Sequence, residues 1–246
     1  MRVFVAAVVL LCAAGFSQAQ NQQSNDNMAG MDTSANSGSA AAMHSMESHH
    51  LDMGPHMKMT ELRSVQPGDR EKAEQVLQAA RLAAGKYQDY KVALAAGFKI
   101  FLPDVPQKQY HFTNYRYAWE ARNHFDALQP TSLLYEKDGD GYKLVGVMYT
   151  AKKNASEDEL NSRIPLSIAQ WHAHVNLCLP SDHKKGDLLP AGSKFGLRGS
   201  IATKEGCDVA GGKFYPQIFG WMVHVYPTEK NPADVWSVER QRNHMD

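Results

Sequence analysis

Between residues 20 and 62 this chain carries two leucines, no valine and no isoleucine. A segment that buries so little apolar surface cannot offset the conformational entropy lost on ordering. This stretch, rich in Asn, Gln, Ser, Ala and Gly, is therefore expected to be a disordered arm. The core-forming sequence then lies in residues 63–246, which are expected to make one domain.

Residues 1–19 read as an export signal: Arg2 gives the positive start, Val3 to Leu11 the apolar run, and Ser17-Gln18-Ala19 a small-x-small cleavage site. That run is shorter than the roughly 20 residues needed to cross a bilayer, and no second one follows, so no membrane span is expected. Val9-Leu10-Leu11 lacks the small residues that would make Cys12 a lipidation site. Cleavage leaves 25 basic and 26 acidic residues and two cysteines, in a periplasmic or secreted protein. The near-neutral balance supplies no basic footprint for nucleic acid. With 43% apolar residues the chain is neither wholly disordered nor a disulfide miniprotein. Nothing in the sequence designates a protein partner.

Methionine is out of place in a solvated arm, yet seven of the eleven fall in residues 28–59 and only three in residues 60–246. Met28, Met31, Met43, Met46, Met53, Met57 and Met59 are interleaved with His44, His49, His50 and His56. Thioethers are soft, uncharged ligands suited to Cu(I), and imidazole also takes Cu(II) or Zn(II). The stretch resembles the Met/His-rich segments of bacterial periplasmic copper-handling and copper-resistance proteins. That resemblance implies copper as the bound ion; a generic linker and an oxidant sink are the alternatives.

In the domain, Ala73, Val76, Leu77, Ala80, Ala84, Tyr87 and Leu94 recur at helical spacing. They predict one long core-facing helix over 69–95, capped by Asp69 and closed by Gly97, with Gly85 as a kink point. Residues 109–119 alternate like a strand, with His111, Thr113, Tyr115, Tyr117 and Trp119 on one face. Residues 132–136 and 142–150, joined by Lys-Asp-Gly-Asp-Gly, predict a hairpin. Two further strands are expected in 167–178 and 218–226, then a short helix from Asn231-Pro232 to about Asn243. Helix, strands without crossover helices, helix: the order predicts an α+β fold with a largely antiparallel sheet. No P-loop, dinucleotide fingerprint or nucleophile elbow is present.

The run Trp171-His-Ala-His-Val-Asn-Leu-Cys178 carries the chemistry. On a strand, alternate residues share a face, so His172, His174, Asn176 and Cys178 would project together. In residues 220–226, Met222, His224 and Tyr226 would do the same. If the two strands are neighbours, His172, His174 and His224 form a three-nitrogen site, with His111 as a fourth ligand and His124, near Asp126, behind it. Each histidine can equally be structural. Trp171 and Trp221 would face the other way, into the core.

Cys178 and Cys207 are the only cysteines left after cleavage, and export favours a disulfide between them. Pairing would remove Cys178 from an alternative His-His-Cys copper site with Met222 axial. The runs Pro130–Glu136, Leu144–Val147 and Trp171–Cys178 resemble small exported bacterial proteins of unassigned role, a resemblance that implies no catalytic residues.

Three readings follow. The first is an exported metal-binding protein that sequesters or delivers copper. The second is a zinc enzyme using His172, His174 and His224, with Glu120 or Asp126 as base. The third is a metal-free exported domain that binds a small ligand or a partner.

Overall fold

The computed structural model describes residues 54–181 and 193–237. The signal segment, Met28, Met31, Met43, His44, Met46, His49, His50 and Met53 lie outside the described residues.

The hairpin organises the sheet. β4 (Ser132–Asp138) and β5 (Gly141–Ala151) pair antiparallel with Asp138 opposite Gly141, which leaves a two-residue loop. Gly139 opens that loop at φ 55°, a backbone conformation that costs glycine nothing because it lacks Cβ. Around the hairpin lie β1 (Met57–Met59), β2 (Lys99–Ile100), β3 (Tyr110–Thr113), β6 (His172–Pro180), β7 (Gly212–Gln217) and β8 (Trp221–Val225). The order is β1-β6-β8-β5-β4-β3-β2, with β7 also on β6, and every pairing is antiparallel. The fold is α+β.

One face of the sheet packs on helices. From α1 (Asp69–Lys86) the side chains Val76, Leu77, Ala80 and Ala84 enter a core with Phe112, Leu133, Tyr135, Val147 and Tyr149. Trp171, Ala173, Trp221, Val223 and Val225 belong to the same core, as the strand alternation predicts. The other face holds a smaller buried group of Leu134, Met148, Met222 and Tyr226. Residues with short or absent side chains let the layers approach. A Cβ on Gly146 would stand 2.8 Å from the Val225 carbonyl oxygen and 2.9 Å from the Tyr226 ring.

The long helix over 69–95 is two helices. α1 ends at Lys86, and α2 (Tyr90–Ala95) restarts where the Asp89 carboxylate accepts from the Lys91 amide. The break shifts the helical phase, so Ala93 is buried and Leu94 is 40% exposed. Gly97 does close the element: at φ 92° it donates to the Leu94 carbonyl while Phe98 donates to Ala93, the two bonds of a Schellman motif. Asp69 is not the cap of α1, whose first flanking residue is Gly68. Its carboxylate instead accepts from the Gln66 amide and the Ser167 hydroxyl.

The strand read over 109–119 stops at Thr113. The Asn114 side chain accepts from the amides of Arg116 and Tyr117 and starts α3 (Tyr115–Glu120), which leaves Trp119 68% exposed. α4 (Glu157–Arg163) and α5 (Lys204–Val209) complete the helices before α6 (Pro232–Val235). Asn231 caps α6 as expected, but the helix is a single turn ending at Val235. Strand β1 falls inside the segment read as arm. Its three residues carry no pattern of their own, and β6 supplies their pairing.

Candidate metal centre

The alternation of β6 puts His172 and His174 on one face, and the register shows what stands beside them. Met59 of β1 is opposite His172 and Met57 is opposite His174. On the other side of His172 stands Met222 of β8. Two residues along β8, His224 is opposite Met148 of β5. Directly opposed residues of an antiparallel pair project to the same side, with Cβ atoms about 4.5–5.5 Å apart. All of these side chains therefore share the sheet face away from α1.

Imidazole geometry follows from this placement. The ring centroids of His172 lie 5.1 Å from His224 and 5.6 Å from His174. His111 lies on β3, two strands beyond β5, and its Nε2 stands 3.4 Å from His224 Nε2. Two nitrogens each about 2.1 Å from a tetrahedral ion are about 3.4 Å apart, and the ring centroids are then about 5 Å apart. Among the described residues, no group of three or more His, Cys, Asp or Glu side chains is already drawn in to hold an ion. Gathering a third imidazole requires side-chain rotation.

His172 and His224 are buried, at 2% and 5% exposure. Nδ1 of His174 is shielded from solvent and has no hydrogen-bond partner among the described residues. Burial pushes the His174 imidazole down to about 4, and the nearby His56 charge adds to the effect. A neutral imidazole at physiological pH keeps a lone pair for a metal. Phe219 closes over His174 with ring centroids 6.2 Å apart, and Phe101 packs edge-on against Phe219.

His56, read as an arm ligand, is buried and engaged elsewhere. Its Nδ1 lies 3.0 Å from the Asn176 carbonyl oxygen and its Nε2 2.6 Å from that of Gly199. These contacts tie the residue just before β1 to the middle of β6 and to the segment at Gly199. Asn176, expected on the histidine face, sits at φ 55° and bends β6 where its pairing passes to β7. Cys178 is bonded to Cys207, and a disulfide sulfur is no thiolate ligand, so the His-His-Cys alternative is removed.

His124, Glu120 and Asp126 are not with the other candidates. They line a cleft beside Tyr149, whose side chain alternates with that of Met148 and so belongs to the helix-covered side. No base for a zinc-bound water comes from those two carboxylates.

Sequence reasoning missed Met148. The available signal was its rarity, since residues 60–246 hold only three methionines. No protein-family model matches this chain, and neither does any curated protein or solved structure.

Proposed function

We propose that this is an exported metal-binding protein whose ion is copper, held in the domain by His111, His172, His174 and His224. The observation that carries the reading is the convergence of these four imidazoles, from three strands, on one sheet face. His111 and His224 are already at the spacing of two ligands on one ion. The Met/His-rich composition of residues 28–59 supports copper over zinc. Export is supported by the signal-like first 19 residues and by the Cys178–Cys207 disulfide. Among the described residues no helix is long and apolar enough to cross a membrane. The role in this reading is sequestration or delivery; Glu120 and Asp126, the two carboxylates weighed as a catalytic base, line a separate cleft.

Titration of the full chain and of a four-histidine variant (111, 172, 174 and 224 to Ala) with Cu(II), Cu(I) and Zn(II) tests the reading. Micromolar or tighter copper binding is expected, with one equivalent lost in the variant. No copper binding by either chain would sink the proposal, and equal stoichiometry in both would sink the domain site.

A further inference from the structure

The described residues contain four methionines, Met57, Met59, Met148 and Met222, and all four lie on the histidine face. They come from three strands far apart in sequence. The rows read Met59–His172–Met222 across β1, β6 and β8, Met57–His174 across β1 and β6, and His224–Met148 across β8 and β5. Each of the three histidines thus has a thioether as its direct cross-strand neighbour. Met57, Met148 and Met222 are buried, at 8%, 6% and 7% exposure.

We infer that these methionines are the soft half of the ligand set, and that the face is a mixed imidazole–thioether site for Cu(I). The inference rests on the copper reading above and specifies the oxidation state and ligands. Charge argues for it. The direct cross-strand neighbours of His111, His172, His174 and His224 in the register are Leu134 and the four methionines, none of them acidic, and neither imidazole nor thioether brings a negative charge. An ion held here keeps its full charge in a poorly solvated place. The Born cost grows with the square of the charge, so a divalent ion meets about four times the penalty of Cu(I). Soft, neutral, polarizable sulfur is also the donor Cu(I) prefers and hard dications do not.

Packing alone also accounts for buried methionine, because Met fills irregular gaps and contacts aromatic rings well. Leucine separates the two roles: it nearly conserves volume but cannot ligate. The experiment uses the full chain in which the eight Met and His residues between 28 and 53 are replaced by Ser, so that only the sheet face is read. Cu(I) is offered in competition with a colorimetric chelator, and Cu(II) is titrated separately.

In Met57→Leu/Met59→Leu and in Met148→Leu/Met222→Leu, Cu(I) affinity is expected to fall about 10–100-fold. Cu(II) affinity should stay within about threefold and thermal unfolding remain cooperative. The arm-substituted chain with its four sheet methionines intact, grown with selenomethionine, should show copper–selenium scattering when loaded with Cu(I), a readout that does not depend on the leucine variants folding. Unchanged Cu(I) affinity in both leucine pairs, or no copper–selenium contact, overturns the inference and leaves the histidine site standing. Absence of both Cu(I) and Cu(II) binding overturns the histidine site as well.

Discussion

Nε2 of His111 stands 3.4 Å from Nε2 of His224, although 113 residues separate them in the chain. That distance is long for an N–H···N hydrogen bond, whose usual length is nearer 3 Å, and it suits two ligands of one ion. If they share an ion, His111→Ala and His224→Ala should each lower Cu(II) affinity by about 10–100-fold. The double variant should lose less than the sum of the two free-energy changes, because the first loss already opens the pair. Competition titration of the four proteins checks this; strict additivity would refute a shared ion.

Arg163 is the buried charge on the helix side, 5% exposed. Its guanidinium donates to the carbonyls of Ala121, Thr150 and Arg122 and to the Glu159 carboxylate, tying α4 to the end of α3 and to β5. Arg163→Met should destabilise the domain by about 2–4 kcal/mol, since it takes the donor away from the buried Ala121 contact and from the Thr150 and Arg122 carbonyls. Urea unfolding measures the loss, and a change below about 1 kcal/mol would show that the network is dispensable.

Glu159 gives a pH signature. The Lys152 ammonium first, and Arg163 second, hold its carboxyl below the usual value of 4.5. A depressed carboxyl binds protons more weakly in the folded than in the unfolded chain. Its contribution is therefore present above pH 4.5 and is lost as pH falls through the lower folded value. Wild type should lose stability more steeply than Glu159→Gln below pH 4.5, and parallel curves of melting temperature against pH would contradict the assignment.

The Cys178–Cys207 bridge spans 29 positions and joins the end of β6 to α5. In the chain-entropy account a loop of that length is worth about 3–4 kcal/mol. Replacing both cysteines by Ser should lower the unfolding free energy by that amount in guanidinium. A loss under about 1 kcal/mol would place the stability of this end elsewhere, for instance in the β6–β7 ladder.

Gly146 is a packing requirement. Its Cβ position is blocked by the Val225 carbonyl at 2.8 Å and crowded by Leu134 Cδ1 at 3.2 Å. Gly146→Ala should cost about 1–3 kcal/mol and displace Tyr226, two residues from His224. Thermal melting and copper titration of that variant should both show a deficit; an unchanged melting point would refute the close packing.

Local chemistry made much of this fold legible. The Lys-Asp-Gly-Asp-Gly turn, the apolar stripe of α1, the caps at Gly97 and Asn231 and the opposite facing of His172 and Trp171 are properties of neighbouring residues. The errors arose where two local signals competed. Alternation over 109–119 was overridden by the Asn114 side chain, which satisfies two helical amides, and the stripe over 69–95 was cut by the Asp89 cap.

The sequence by itself determined that His172 and His174 share a face, that Met222 and His224 share another, and that residues 28–59 carry methionine and histidine at unusual density. Only the tertiary structure decided that these are one face. It set β1 and β8 on the two sides of β6, brought His111 to His224, and drew Met57 and Met59 out of the arm into the sheet. The physical reason is that strand periodicity is written in adjacent residues. Register and strand order depend instead on backbone hydrogen bonds between segments more than 100 positions apart, as β1 and β6 are where Met57 stands opposite His174, and no local pattern encodes them.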